Sequence, residues 1–341
     1  MGMSRTRTPS VSLSGPVRFF SLLIFSAPAI FALLITSACR DRGGDPATKI
    51  PGDERSPSID LSAYRAKFEF RGRIVFQSDL DGDNEIYLLT SNGLRRLTDD
   101  PASDEFPRWS PDGRTIAFSS NRAGLYQIFL MDADGTNLRQ VTRGETDAIE
   151  EGWYPDGKRL AYTEQRKRTL GRSFALRSLD LATGETRPLL PDFEGSSALP
   201  DFSPAGPLLA FTGKRAMGWD AFRANLSTGE ILPLTEGGKA CRPRFSPDGA
   251  KIAYVSSSAD GKGDIWLMGP DGAEKERLTD RPETYDYFPA WSPDGKWIVF
   301  ASGTKHYPTE GVWELALVKP GTKLVVPLFR SGARDVFPDW R

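Results

Sequence analysis

The chain has 341 residues, and its 44 lysines and arginines nearly balance its 45 aspartates and glutamates, for a formal net charge of −1. This balance excludes general nucleic-acid binding, which requires a basic footprint. The single histidine, His306, limits both general-base catalysis and histidine-rich metal sites. The two cysteines, Cys39 and Cys241, are too few for a disulfide framework.

The first 38 residues are predicted to be an export signal. Three arginines and no acid within residues 1–18 precede seventeen uncharged residues, 19–35. The sequence that follows, Ile-Thr-Ser-Ala-Cys at 35–39, resembles the lipobox of bacterial lipoproteins. That resemblance implies cleavage before Cys39 and lipid attachment to it. An uncleaved membrane helix and an ordinary secreted protein remain alternatives.

Residues 39–71 are rich in Gly, Pro, Ser and mixed charge, which predicts a flexible tether between a lipid and a folded domain. Arg40 stands where an acid would, by the enteric lipoprotein sorting rule, retain the protein at the inner membrane. The lipobox resemblance therefore implies the periplasmic side of an outer membrane. The folded domain is predicted to span residues 72–341.

A repeat of about 45 residues organises that domain. The motif Phe-Pro-Arg-Trp-Ser-Pro-Asp-Gly at 106–113 recurs in related forms, with positions 154, 203, 246 and 292 equivalent to Ser110 and steps of 44, 49, 43 and 46 residues. Ser-Pro-Asp-Gly is turn chemistry, because Pro presets φ and Gly accepts a positive φ. Apolar segments such as Ile116-Ala117-Phe118 follow each turn and predict buried strands.

Each repeat predicts four antiparallel strands, which is typical of a propeller blade. The first repeat lacks its Phe-Pro-x-Trp strand, and residues 335–341 supply that strand and nothing more. We therefore predict an all-β fold, a six-bladed β-propeller in which the C-terminal strand completes the first blade and removes an open edge. The alternative is an open array with a stray terminal strand that leaves Phe337 and Trp340 exposed.

The repeat Asp-x-Phe-Pro-x-Trp-Ser-Pro-Asp-Gly-x-x-Ile-Ala-Phe, followed by Asp-x-Asp-Gly, resembles the WD-type propeller repeat of the TolB family and covers residues 72–341. The resemblance implies a protein of the bacterial cell envelope that binds partner proteins or peptides and performs no chemistry. TolB also has an α/β domain before its propeller, and here only about thirty tether residues fill that place. Any function of that domain is therefore not carried over.

The sequence gives few signs of chemistry. It contains no G-x-S-x-G elbow, phosphate loop, G-x-G-x-x-G or C-x-x-C, so we expect no catalytic residues, cofactor or metal. Two alternatives stay open: a carbohydrate-active, lyase-like enzyme that uses acids at the central channel, and a calcium-stabilised sensor. The second depends on residues 79–85, where acids alternate as in a calcium loop, although a polar hairpin turn is the preferred interpretation.

Variable loop positions suggest a partner-binding face. Asp104, Asp286 and Asp335 lie five residues before the Trp of their inner strands, in blades that closure makes neighbours. The loops of the third and fourth repeats are basic instead, and we expect both sets at one face, acidic on one side and basic on the other. Those basic residues are Arg166, Lys167, Arg168, Lys214 and Arg215. The alternative is that each aspartate only caps a turn.

Aromatic residues divide into two groups. Four tryptophans at one repeat position, 109, 153, 291 and 340, are predicted to pack within blades. Tyr287, together with Trp219, Tyr285 and Tyr307, is predicted to lie in connections near the channel mouth and to contact the partner. Cys241 is expected to be a small buried apolar group. We expect a monomer that binds an envelope protein or peptide and reaches the membrane only through its lipid.

Overall fold

A computed structural model describes residues 72–168, 171–215, 218–306 and 311–341. The described residues form 24 β-strands in six four-stranded antiparallel sheets, which we number as blades 1 to 6. The predicted signal peptide, the tether and Cys39 lie outside the described residues.

The strands are grouped as follows. Blade 1 has β1 (Arg73–Ser78), β2 (Glu85–Thr90), β3 (Gly93–Arg96) and β24 (Val336–Trp340); blade 2 has β4 (Asp104–Trp109), β5 (Thr115–Ala123), β6 (Leu125–Asp132) and β7 (Arg139–Gln140); blade 3 has β8 (Asp147–Trp153), β9 (Arg159–Arg168), β10 (Gly171–Asp180) and β11 (Thr186–Pro188). Blade 4 has β12 (Ser196–Phe202), β13 (Leu208–Arg215), β14 (Gly218–Asn225) and β15 (Ile231–Pro233); blade 5 has β16 (Ala240–Phe245), β17 (Ile252–Ser256), β18 (Asp264–Met268) and β19 (Glu276–Arg277); blade 6 has β20 (Tyr285–Trp291), β21 (Ile298–Gly303), β22 (Trp313–Lys319) and β23 (Leu324–Phe329).

The six blades close into a ring, as the sequence predicts. Strand β24 pairs with β1 in antiparallel register, with Ile74 opposite Trp340. The amide of Arg341 donates to the carbonyl of Arg73 at 2.8 Å, and that of Arg73 donates back at 2.5 Å. The innermost strand of each blade contacts those of both neighbours. Closure therefore leaves no unpaired inner strand.

The repeated turn and the repeated aromatic positions form the scaffold. In the first full turn, Ser110 donates to Asp112 at 2.7 Å and Gly113 adopts a φ of 67°. The apolar residues after each turn fill the spaces between neighbouring sheets, and Phe118 is fully buried. The four tryptophans predicted to pack within blades are also buried. Trp153 additionally links two blades, because its Nε1 donates to the carbonyl of Arg108 at 3.2 Å.

Every innermost strand is interrupted by a β-bulge at the same repeat position. A residue other than glycine adopts a left-handed φ between 53° and 60° there, and the pairing with the second strand loses its register. Such a φ is costly for a residue with a Cβ, so the surrounding sheets must hold it in place. These residues are Phe106, Glu150, Leu199, Arg242, Phe288 and Phe337.

Two faces follow from the strand directions. We call the face where the innermost strands begin the upper face; it carries the connections between second and third strands and those between blades. The lower face carries the Ser-Pro-Asp-Gly turns and the connections between third and fourth strands. No helix long and apolar enough to cross a bilayer occurs in the described part of the chain.

Candidate functional site: the channel and the upper face

The bulge residues form a first layer of side chains across the channel. Three of them make an aromatic half, in which the ring of Phe337 lies 4.5 Å from that of Phe106 and 3.9 Å from that of Phe288. Arg242 extends this group, since its guanidinium carbon lies 4.4 Å from the Phe288 ring centre and 5.1 Å from that of Phe337. The first layer therefore fills the channel with packed aromatic rings and a cation.

A second layer lies two residues further along each strand, toward the lower face. There, Arg108 approaches Asp201 at 2.8 Å and Asp339 at 3.6 Å. Arg244 approaches the same two aspartates, at 3.6 Å and 2.5 Å. Four residues from four blades thus form a closed network of alternating charge, with their side chains only 13% to 18% exposed.

This network has approximate two-fold symmetry. The backbone amide of Trp109 donates to Asp339 at 2.8 Å, and that of Phe245 donates to Asp201 at 2.7 Å. The two remaining blades contribute small residues, Gly152 and Ala290, at the equivalent position. Going around the ring, the second-layer position is therefore an acid, a base and a small residue in blades 1 to 3, and again in blades 4 to 6. The four charged side chains contact one another in the channel.

Space at this level is tightly restricted. A Cβ on Gly152 would lie 2.4 Å from the carbonyl oxygen of Pro200, so no side chain fits there. Between the two layers a cavity of about 60 Å³ remains. Small-molecule sites usually enclose roughly 300 to 1,000 Å³. The centre of the channel is therefore closed to a sugar ring or a threaded peptide.

Two acids of blade 3 face this cavity. Glu150 occupies the bulge position, and Glu151 stands where the other five blades have proline. Burial raises the pKa of Glu150 to about 6 and that of Glu151 to about 8. Ser119 donates to one oxygen of Glu151 at 2.9 Å, while the other oxygen has no hydrogen-bond partner among the described residues. Burial therefore favours the protonated form of both carboxyl groups relative to exposed glutamates.

The three aspartates predicted to face the partner are not at the surface. Asp104, Asp286 and Asp335 are each 0% exposed. Asp104 accepts from Arg122 at 2.7 Å and Asp286 accepts from Arg281 at 2.6 Å. The predicted acidic side of the face therefore needs correction. These carboxylates point into their own blades because the loops that precede the strands need an acceptor.

Asp335 has the same role without an arginine. It accepts from the hydroxyls of Ser78 and Ser331, both at 2.7 Å, and from the amide of Ser331 at 2.8 Å. Burial raises the pKa of Asp335 to about 6. The turn-capping alternative therefore describes all three aspartates, which we do not carry into the proposed contact surface.

The predicted aromatic contacts are also largely buried. Tyr287 is 2% exposed and lies 5.9 Å from the Trp313 ring, inside blade 6. The backbone at Gly263, just before β18 of blade 5, packs directly on the Tyr287 ring, so closely that a Cβ on Gly263 would clash with it. Tyr287 is therefore a core residue. Trp219 is buried too, whereas Tyr285 is half-buried and lies near His306. Tyr307 lies outside the described residues.

The basic residues predicted on blade 3 lie on two different sides of the β9–β10 hairpin. Arg166 pairs with Glu164 at 2.8 Å, on the side that faces blade 2. Lys167 lies directly opposite Arg172 in the hairpin register, so both occupy the side that faces blade 4. Arg168 ends β9, and its side chain lies outside the described residues.

Lys214 and Arg215, at the end of β13, are exposed as predicted and lie beside this second side of the hairpin. Between the two hairpins runs an open groove of about 1010 Å³ at the upper face, which we call the blade 3–4 groove. Its cations are Arg172, Lys214 and Arg215, and its aromatic floor is Phe174, Phe193 and Trp219. The structure thus brings together the predicted basic residues of blade 4 with Arg172, the predicted aromatic Trp219, and two further rings, Phe174 and Phe193.

The acidic loop at 79–85 is tied to arginines. Asp79 pairs with Arg334 at 2.6 Å, while Asp81 and Glu85 both pair with Arg96. Within the described ranges no group of three or more His, Cys, Asp or Glu residues could hold a metal ion. The geometry is that of the polar hairpin turn preferred from the sequence.

The charged channel network is the feature that the sequence analysis missed. Its signal was available, because the second residue after the bulge reads Arg108, Gly152, Asp201, Arg244, Ala290 and Asp339 around the ring. Comparing blades at that position would have found two acids and two bases.

Comparison with known proteins agrees with the fold. The family profile described as the TolB beta propeller domain matches residues 70–215 and 153–324. An uncharacterised protein of Agrobacterium fabrum is 31% identical over 225 residues, which cover 64% of this chain and 72% of that protein. Among solved structures, TolB from Acinetobacter baumannii has a TM-score of 0.68 at 21% identity, over 83% of this chain and 70% of that one.

A peptidase is also similar. Dipeptidyl-peptidase 5 of Porphyromonas gingivalis is 28% identical over 300 residues, which cover 72% of this chain. The chain spans only 42% of that peptidase's length. The similarity therefore concerns less than half of the enzyme.

Proposed function

Because this chain belongs to the TolB β-propeller family, we propose that it is a lipid-anchored protein of the bacterial cell envelope that binds a partner protein or peptide and catalyses no reaction. Propellers host many functions, so the proposal depends on the site and not on the fold alone.

The observation that carries the proposal is the closed channel. Two layers of side chains occupy the channel, and the network of Arg108, Asp201, Arg244 and Asp339 joins four blades within it, including pairs that are not neighbours. A partner that cannot pass through the ring must be recognised on a face. The upper face carries exposed basic hairpins on blades 3 and 4 that suit this role.

The N-terminal sequence supports the location. A charged leader, seventeen uncharged residues and small residues before Cys39 form the pattern of an exported lipoprotein. We propose that residues 1–38 are removed, that Cys39 carries the lipid on the periplasmic side of the outer membrane, and that residues 39–71 tether the propeller to it.

We also propose that the protein is a monomer. Five of the six outermost strands have only two to four residues, and β23 has six. Short edge strands offer little backbone for pairing with a second copy.

Co-purification tests the proposal. An affinity tag placed within residues 41–60 leaves the closing strand β24 unchanged, and envelopes are cross-linked before detergent extraction. We expect one partner in stoichiometric yield with the full protein. A tagged fragment of residues 39–71 alone serves as control and should retain none. Failure of the full protein to retain any partner, or equal retention by the fragment, would contradict the proposal.

A further inference from the structure

The blade 3–4 groove differs from the rest of the upper face in how its cations are satisfied. In blades 1, 2, 5 and 6, upper-face arginines are held by carboxylates; these are Arg96, Arg122, Arg277, Arg281 and Arg334. No described carboxylate lies within salt-bridge distance of Lys214 or Arg215, which instead lie over aromatic rings. The Lys214 ammonium is 5.9 Å from the Trp219 ring centre. The Arg215 guanidinium carbon is 5.3 Å from the Phe193 ring centre.

The walls of this groove are closely packed. A Cβ on Gly195 would lie 2.2 Å from the carbonyl oxygen of Lys214, so the loop from blade 3 packs directly on the hairpin of blade 4. The backbone of Trp219 forms an isolated β-bridge with that of Lys239, in the connection between blades 4 and 5. The centre of the Trp219 ring lies 5.6 Å from that of the Phe174 ring. The groove therefore presents its two cations from the end of a paired strand, with Lys214 opposite Trp219 and Arg215 opposite Gly218.

These features match one chemistry. Exposed cations that have no carboxylate partner attract carboxylates, and a partly exposed aromatic floor accepts an apolar side chain. We propose that the blade 3–4 groove binds an acidic, extended peptide segment of the partner, with its carboxylates on Lys214 and Arg215 and an apolar residue on Phe174. This inference rests on the proposed function and names the chemistry of the segment recognised.

Two acids at the groove should oppose binding of the acidic segment. Asp192 and Glu194 are exposed in the loop that forms one wall, and they oppose an anionic segment. Removing them should strengthen binding, while removing the cations should weaken it. The proposal therefore predicts effects of opposite sign from substitutions in one groove.

The test uses the mature chain and a fluorescein-labelled peptide in which glutamates flank a central leucine–phenylalanine pair. We expect saturable binding that weakens as salt rises, and no binding of the matched peptide with glutamines. Lys214→Glu with Arg215→Glu should weaken binding about tenfold, and Asp192→Asn with Glu194→Gln should strengthen it. The control, Lys158→Glu with Lys275→Glu, changes the same charge on the lower face and should leave affinity unchanged.

Thermal melting of every variant separates folding defects from lost recognition. Equal binding of the glutamate and glutamine peptides, or unchanged affinity in the Lys214 and Arg215 variant, would overturn the inference. So would binding to phosphatidylglycerol vesicles without binding to the peptide, because the groove would then recognise a lipid surface. If the Lys214→Glu, Arg215→Glu variant still retains the envelope partner as the unmodified protein does, the groove inference fails and the proposed function stands. If the peptide binds but no envelope partner is ever retained, the proposed function fails and the peptide specificity of the groove stands.

Discussion

Nη2 of Arg108 lies 2.8 Å from Oδ1 of Asp201 across the channel, although the two residues are 93 positions apart in the sequence. Their blades are not neighbours, since blade 3 lies between them and contributes only Gly152 at this level. The pair therefore links distant parts of the ring directly, and the same holds for Arg244 and Asp339 at 2.5 Å. The network stabilises the closed ring from its centre while the β24–β1 pairing closes it at the blade.

Arg108→Ala should destabilise the propeller. It leaves Asp201 and Asp339 with a single arginine in a poorly solvated channel, where breaking an ion pair usually costs about 3 to 5 kcal/mol. Partial exposure lowers the expected loss to about 2 to 3 kcal/mol in urea unfolding. Arg187→Ala removes an exposed pair with Glu185 and should cost clearly less, because solvent screens that pair. Equal stability of the two variants would show that the network is not stabilising.

Trp340→Ala should test the closing strand. Trp340 is 7% exposed and pairs with Ile74 across the junction, so its loss should cost about 3 to 5 kcal/mol, a large part of a domain's stability. The half-buried Trp297 on the lower face is the matched control, and its replacement by alanine should cost clearly less. Deletion of residues 335–341 should cause aggregation or a much lower Tm. A soluble deletion variant with an unchanged Tm would contradict closure by β24.

The repeat was readable from the sequence because its signals are local. Ser-Pro-Asp-Gly at 110–113 specifies a turn by itself, and a period near 45 residues then specifies blades. The missing strand at the start and the extra strand at the end of the repeats predicted closure. Each of these needs only comparison along the chain.

Side-chain direction was not readable in the same way. The position of Asp104 at the start of an innermost strand predicts its face, but only the structure shows the carboxylate turned toward Arg122. Tyr287 lies just before the bulge at Phe288 and is buried because its ring packs near Trp313 and against the backbone at Gly263. A β-bulge changes which residues face inward, and its occurrence depends on the packing of the whole ring.

Stability should fall as pH rises from about 4.3 to about 8. Burial raises the pKa of Glu151 to about 8, whereas a glutamate in an unfolded chain has a pKa near 4.3. Between those values the folded protein binds more protons than the unfolded chain, so the free energy of unfolding decreases with pH. Glu150, with a pKa raised to about 6, acts in the same direction over a lower range.

Urea unfolding at pH 6 and pH 8.5 measures this effect. We expect the protein to lose at least about 1 kcal/mol between them, and Glu151→Gln to lose less because it cannot ionise. Glu185→Gln, at an exposed site, should keep the full pH dependence of the unmodified protein. An identical slope in the Glu151→Gln variant would show that another group is responsible.

Anchoring should depend on one thiol. If Cys39 accepts the lipid, Cys39→Ser should move the protein from the membrane pellet to the soluble envelope fraction after a high-salt wash. Cys241→Ala is the control: Cys241 is a buried thiol in blade 5, so the variant should remain in the pellet. A Cys39→Ser protein that stays in the pellet would mean that the apolar stretch at 19–35 holds it there.

Replacing Asp104, Asp286 and Asp335 together with asparagine should separate scaffold from recognition. Each carboxylate is buried and accepts hydrogen bonds from nearby donors. An asparagine side chain has one acceptor oxygen where aspartate has two, so each substitution should lose hydrogen bonds. Loss of a satisfied buried hydrogen bond costs about 1 to 3 kcal/mol, more when the donor is charged. We therefore expect a lower Tm and a smaller free energy of unfolding.

The same triple variant should keep the affinity for the envelope partner, measured at a temperature where it is still folded. Charge reversal at Lys214 and Arg215 should show the opposite pattern, with affinity reduced and Tm nearly unchanged, because both side chains are exposed. Stability and affinity measured side by side on the two variants decide the matter. If the asparagine variant loses affinity but no stability, the three aspartates contact the partner after all, and the basic groove is not the main determinant of binding.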